Sequence, residues 1–92
     1  MIRIFKVSGH SLFPLLQDGQ RVFCIKTFNF TKLKISDILV FEKEPHGLMI
    51  KELKSIDEKG YFVQGTDPFS IDSRDFGSIS KKSIKYKVLF KF

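Results

Sequence analysis

The sequence has a single cysteine, Cys24, no tryptophan, three prolines, and only ten acidic residues against sixteen lysines and arginines. A lone cysteine excludes an internal disulfide framework and a thiolate cluster for zinc. Apolar runs stop at four or five residues, as in Ile38–Phe41, far short of the roughly 20 that a membrane-crossing helix needs. The segment Met1–Val7 carries Arg3 and Lys6 and has neither the apolar stretch nor the small-residue cleavage site of a signal peptide. No lipidation motif is present. These absences predict a cytoplasmic protein with no integral membrane anchor. The shortage of acid leaves a net charge of +6, which permits an anionic partner without requiring one. His10 and His46 are the only histidines, and with Cys24 they are too few and too scattered to predict a metal site or any cofactor.

What is present points to one small folded unit. Ninety-two residues make a single domain, residues 1–92, and eleven phenylalanines supply enough apolar surface to offset chain entropy. Ile2–Val7, Arg21–Lys26, Asp37–Glu42, Leu48–Ile56 and Gly60–Gln64 are rich in Ile, Val, Phe and Tyr, as strands are. In Ile84–Phe92 the even positions are apolar and lysines fill the odd ones except at Leu89, so one face should pack and the other meet water. Turn chemistry separates the segments: Gln17-Asp18-Gly19, Glu44-Pro45-His46-Gly47, Asp57-Glu58-Lys59-Gly60 and Thr66-Asp67-Pro68. Only Ser11–Gln17 looks helical, ended by Gly19. The predicted fold is mostly β, a small antiparallel barrel-like domain with one short helix.

Three local patterns carry chemistry. In Val7-Ser8-Gly9-His10-Ser11-Leu12-Phe13-Pro14-Leu15-Leu16, a serine follows a glycine-containing turn and enters a short helix with Pro14 in its first turn. Such a start exposes a hydroxyl and leaves unpaired N–H groups beside it, which can stabilise an oxyanion. The second pattern is Ile35-Ser36-Asp37-Ile38-Leu39-Val40-Phe41, then Leu48-Met49-Ile50-Lys51-Glu52-Leu53. The third is Gly65-Thr66-Asp67-Pro68-Phe69-Ser70-Ile71-Asp72-Ser73-Arg74-Asp75-Phe76-Gly77.

Together and in this order, spanning residues 7–90, these patterns resemble the signal peptidase-like superfamily of Ser-Lys proteases, which includes the LexA-type repressor autoproteases. The fold implied is that catalytic core, with the helix following the nucleophile. By the resemblance, Ser11 is the nucleophile, its backbone N–H forms the oxyanion site, and Lys51 is the general base. Ser70 would hydrogen-bond the lysine amine and orient it. Asp72 and Arg74 would form a supporting ion pair, and Gly9 and Pro14 would shape the serine turn. The chain departs from the family pattern at Leu12, Leu15 and Gln20, at Thr66-Asp67, at Glu52 where arginine is usual, and at Gly9 where some members carry a serine whose hydroxyl assists the oxyanion. A serine needs a neighbour to take its proton, and a lysine does so only when neutral, which burial favours. With no membrane segment ahead of Ser11, the chain looks like the small stand-alone branch that includes the nickel-type superoxide dismutase maturation proteases. The implied partner is a precursor protein, such as a nickel superoxide dismutase precursor, whose N-terminal extension is cut after a small residue.

Blander readings stand beside these. A serine before a helix is ordinarily an N-cap. A strand lysine is ordinarily solvated, as expected of Lys85, Lys87 and Lys91. Ser73 fits a turn-supporting role, and Cys24 a small core residue. A basic, Phe-rich β domain is also compatible with a nucleic-acid-binding barrel, but that would leave Ser11, Lys51 and Ser70 a coincidence, so no nucleic-acid partner is expected.

Overall fold

The computed structural model describes residues 1–92. Six strands form one antiparallel sheet: β1 (Ile2–Lys6), β2 (Arg21–Lys26), β3 (Ile38–Lys43), β4 (Gly47–Asp57), β5 (Gly60–Gln64) and β6 (Ile84–Lys91). Their order across the sheet is β1-β2-β6-β3-β4-β5. The last strand therefore lies inside the sheet, between β2 and β3. The sheet is open: β1 and β5 are its edges and do not pair with each other, so a closed barrel is not formed.

The central strand β3 explains its own apolar run. Leu39 and Phe41 point to one face, where they pack with Leu53, Val63, Ile79 and Ile84. Val40 and Ile38 point to the other, against Val7, Leu12, Leu16, Val22 and Cys24. A strand covered on both faces needs continuous rather than alternating apolarity. The residues after β1 cover the Val40 face, and the segment after β5 covers the Leu39 face.

The single short α-helix, α1, is Ser73–Phe76, not Ser11–Gln17. Asp72 caps it, and Asp75 reaches back to the Asp72 N–H to complete a capping box. Residues 11–16 form turns, held internally by Phe13 N–H to His10 O and Leu16 N–H to Leu12 O. Helix formation fails because its carbonyls are engaged elsewhere. Ser11 O, which would accept from Leu15 in a helix, accepts from the N–H groups of Thr66 and Asp67 at 2.7 and 3.2 Å. Phe13 O accepts from the Thr66 hydroxyl, and the Gln17 N–H that would have reached it goes to Gln20 Oε1. Pro14 thus sits in a turn rather than in the first turn of a helix.

Candidate active site

The turn after β1 presents Ser11. Gly9 adopts φ +92°, a left-handed conformation that side chains beyond Cβ rarely tolerate, and its N–H donates to Asp18 Oδ1 at 2.8 Å. The backbone N–H groups of His10, Ser11 and Leu12 donate to no protein acceptor, while the Ser11 carbonyl is fixed by the 66–67 segment. The Ser11 turn therefore offers free donors beside the Ser11 hydroxyl.

Lys51 lies on β4, opposite Leu39. Directly opposed residues share a sheet face, so Lys51 shares its face with Leu39, Met49 and Leu53, while Ile50 turns to the other side with Val40. Lys51 is only 5% exposed. No carboxylate lies within 4.0 Å of its amine, and the amine makes no hydrogen bond. Burial pushes the amine below the ordinary lysine value; Asp72 and Asp67 pull it partly back, and the Arg74 charge adds to the depression. Glu52 turns to the opposite face and pairs with Lys54 at 3.3 Å, so it does not hold a proton on Lys51.

Ser11 and Lys51 line one cleft of about 420 Å³. Its walls are mainly Phe5 and Val7 on one side and Val40, Met49 and Ile50 on the other, with Lys6 and His46 also lining it. No hydrogen bond joins Ser11 to Lys51.

Ser70 is not on the lysine amine. Its hydroxyl donates to Asp72 Oδ2 at 2.8 Å and accepts from Arg74 Nη2 at 3.2 Å. Asp72 is fully buried and takes the Arg74 guanidinium in an ion pair at 2.7 Å. It also accepts the N–H groups of Gly65 at 2.9 Å and Arg74 at 3.0 Å. Burial would raise the Asp72 carboxyl, but the hydrogen bonds from Arg74, Gly65 and Ser70 outweigh it and hold the carboxyl well below the usual range. The Ser70 hydroxyl thus commits its one proton to Asp72 and takes Arg74 as its donor instead of Lys51. Ser73, buried at the start of α1, accepts the Val63 N–H at 2.9 Å and ties the helix to β5.

Two contributors stand inside the third pattern but were assigned no role from the sequence. Gly65 packs so closely that an added Cβ would meet Ser11 O and would lie 2.6 Å from Ser70 Oγ, so the Ser11 turn and the Ser70 loop meet across a bare Cα. Thr66, one residue on, clamps the Ser11 and Phe13 carbonyls. Their place at the head of the third pattern was the available signal. His46 lines the cleft from the β3–β4 turn, whereas His10 is exposed with its ring against Phe13. Cys24 is buried in the core, where burial pushes its thiol up to about 11, leaving it without nucleophilic character at neutral pH. No cluster of His, Cys, Asp and Glu suited to a metal ion is formed. No helix is long and apolar enough to cross a membrane. Neither a protein-family model nor a curated protein matches the chain.

Proposed function

We propose that this chain is a serine endopeptidase of the signal peptidase-like kind, with Ser11 as nucleophile and Lys51 as general base. The observation that carries the reading is the Lys51 side chain, nearly buried with its amine unpaired, sharing a cleft with Ser11 beside unused backbone N–H groups. Neutral Lys51 takes the Ser11 hydroxyl proton as Oγ attacks the scissile carbonyl carbon. The Ser11 N–H receives the developing oxyanion. The lysine ammonium then protonates the leaving amine, giving an acyl ester on Ser11. Neutral Lys51 takes a proton from the water that attacks that ester and passes it to Ser11 Oγ as the acyl–oxygen bond breaks, which releases the acid and restores Ser11 and neutral Lys51. The two side chains must first come within hydrogen-bond reach, and catalytic hydrogen bonds often tighten only when substrate binds. Asp72 and Arg74 stiffen the loop behind the lysine, and Gly65 and Thr66 fix the serine turn against it.

The substrate in this reading is a cytoplasmic precursor with a flexible N-terminal extension, a nickel superoxide dismutase precursor being the most specific choice and another precursor the alternative. The open sheet stands here for the signal peptidase and LexA-type catalytic core. Incubating the wild-type protein with that precursor should shorten it at one bond, and Ser11→Ala should abolish the cut. An intact precursor alongside cleavage of a different preprotein would reject the substrate and keep the mechanism. Cleavage by Ser11→Ala would reject the mechanism.

A further inference from the structure

The end of the sheet formed by the β2–β3 connection and the start of β6 carries an unusual combination of charge and aromatic surface. Lys26, Lys81, Lys82 and Lys85 surround a hollow of about 370 Å³ that no carboxylate lines. None of the four is in an ion pair. Glu42 and Glu44 border the adjoining hollow but do not neutralise Lys82 or Lys85. Beside the hollow stand Phe28 and Phe30, stacked on each other at 5.6 Å, with Phe30 84% exposed.

This presentation is built into the backbone. Phe28 N–H donates to the Thr31 hydroxyl at 2.8 Å, and Thr31 N–H donates back to Phe28 O at 3.0 Å. The Lys81 amine pins the same turn through the carbonyls of Asn29 and Thr31. The turn therefore holds two apolar rings out in water at no further ordering cost. Alongside it the outer face of β1, β2 and β6 is mostly apolar, with Lys87 opposite Ile25 paired to Asp37. Ile2 pairs with Ile25 and Ile4 with Phe23, Phe23 stacks on Phe90 at 4.8 Å, and Ile2, Ile4, Ile25 and Phe90 are all exposed.

We infer that this surface docks on an anionic lipid bilayer, with Phe28 and Phe30 entering the headgroup region and the lysines meeting lipid phosphates. Charge complementarity selects the occupant. A second copy would bring its own lysines against these, and the exposed isoleucines offer nothing to a nucleobase. A bilayer with negative headgroups accepts both the rings and the ammonium groups. The inference is independent of the peptidase reading.

The test is co-sedimentation with vesicles of equimolar phosphatidylglycerol and phosphatidylcholine, against vesicles of phosphatidylcholine alone. The protein should bind the first and not the second, and added salt should weaken binding. Phe28→Ser with Phe30→Ser should reduce the affinity about tenfold or more, as should Lys26→Glu with Lys82→Glu, while all variants melt like wild type. The chain has no tryptophan, so the emission of Phe30→Trp reports one site and should shift to the blue on anionic vesicles. Equal binding to neutral vesicles, unchanged binding by the phenylalanine variant, or no emission shift would overturn the inference. So would binding of single-stranded oligothymidylate that depends on Phe28 and Phe30 while vesicles go unbound.

Discussion

The Lys51 side chain is nearly buried and its amine has no carboxylate to neutralise it, and this should show in both stability and rate. The folded state disfavours its charged form, so the penalty is absent above the unfolded lysine value of about 10.4. The penalty grows as pH falls toward the depressed folded value and is constant below it. Lys51→Met keeps the length and apolar stem while removing the charge. It should raise stability at neutral pH by about 1–3 kcal/mol in urea unfolding while eliminating cleavage. A loss of stability would mean that the amine is not the strained group. Lys51→Arg should also be inactive, because guanidinium does not give up its proton. The wild-type cleavage rate should rise with pH through the depressed Lys51 value, and a flat profile would remove Lys51 as the base. Gly65 makes the opposite kind of prediction. Gly65→Ala drives a Cβ into Ser11 O and Ser70 Oγ, so it should cost about 1–3 kcal/mol and lower kcat by displacing the serine turn. Full retention of both would place that turn elsewhere.

Among the elements, α1 depends on one carboxylate. Asp72 caps the helix, pairs with Arg74 and holds Ser70 and Gly65. Its folded value is depressed, so its contribution is fully present above the unfolded aspartate value of about 3.9 and is lost as pH falls below it toward the lower folded value. Asp72→Asn should lower stability by about 2–3 kcal/mol at neutral pH and flatten the acid limb of the stability curve. An unchanged acid limb would assign that limb to other carboxylates. The strands were legible in the sequence because local chemistry agreed with the fold. Arg21–Lys26 and Gly60–Gln64 have the predicted limits, and the other strands differ from prediction by one residue at one or both ends. The serine segment misled because its helical reading is a local one, whereas Ser11 O and Phe13 O are claimed by Thr66, far along the chain. Periodicity does not register such distant partners. The Asp72–Arg74 pair was expected only from the family resemblance, and it forms within one loop. The partner of Ser70 was not, because the choice between Lys51 and Asp72 is decided by three-dimensional proximity.

At the scale of the whole molecule, sixteen basic residues meet few carboxylates in ion pairs, only Lys54, Arg74 and Lys87 being paired. Self-repulsion should therefore be relieved by salt. Raising sodium chloride from low to moderate concentration should increase Tm by about 2–5 °C, and phosphate at equal ionic strength should do more by occupying the lysine-lined hollow. A Tm that falls with salt would show that attraction dominates the surface. The place of β6 in the sheet also governs how the candidate site is held together. Ser11 follows β1 of the β1–β2 ladder, and Lys51 lies in the ladder of β3, β4 and β5; β6 is the strand that pairs with both. Away from β6, Ser11 O is tied to the far side by Thr66 and Asp67, so fraying of β6 would let the two walls of the cleft swing apart about that clamp.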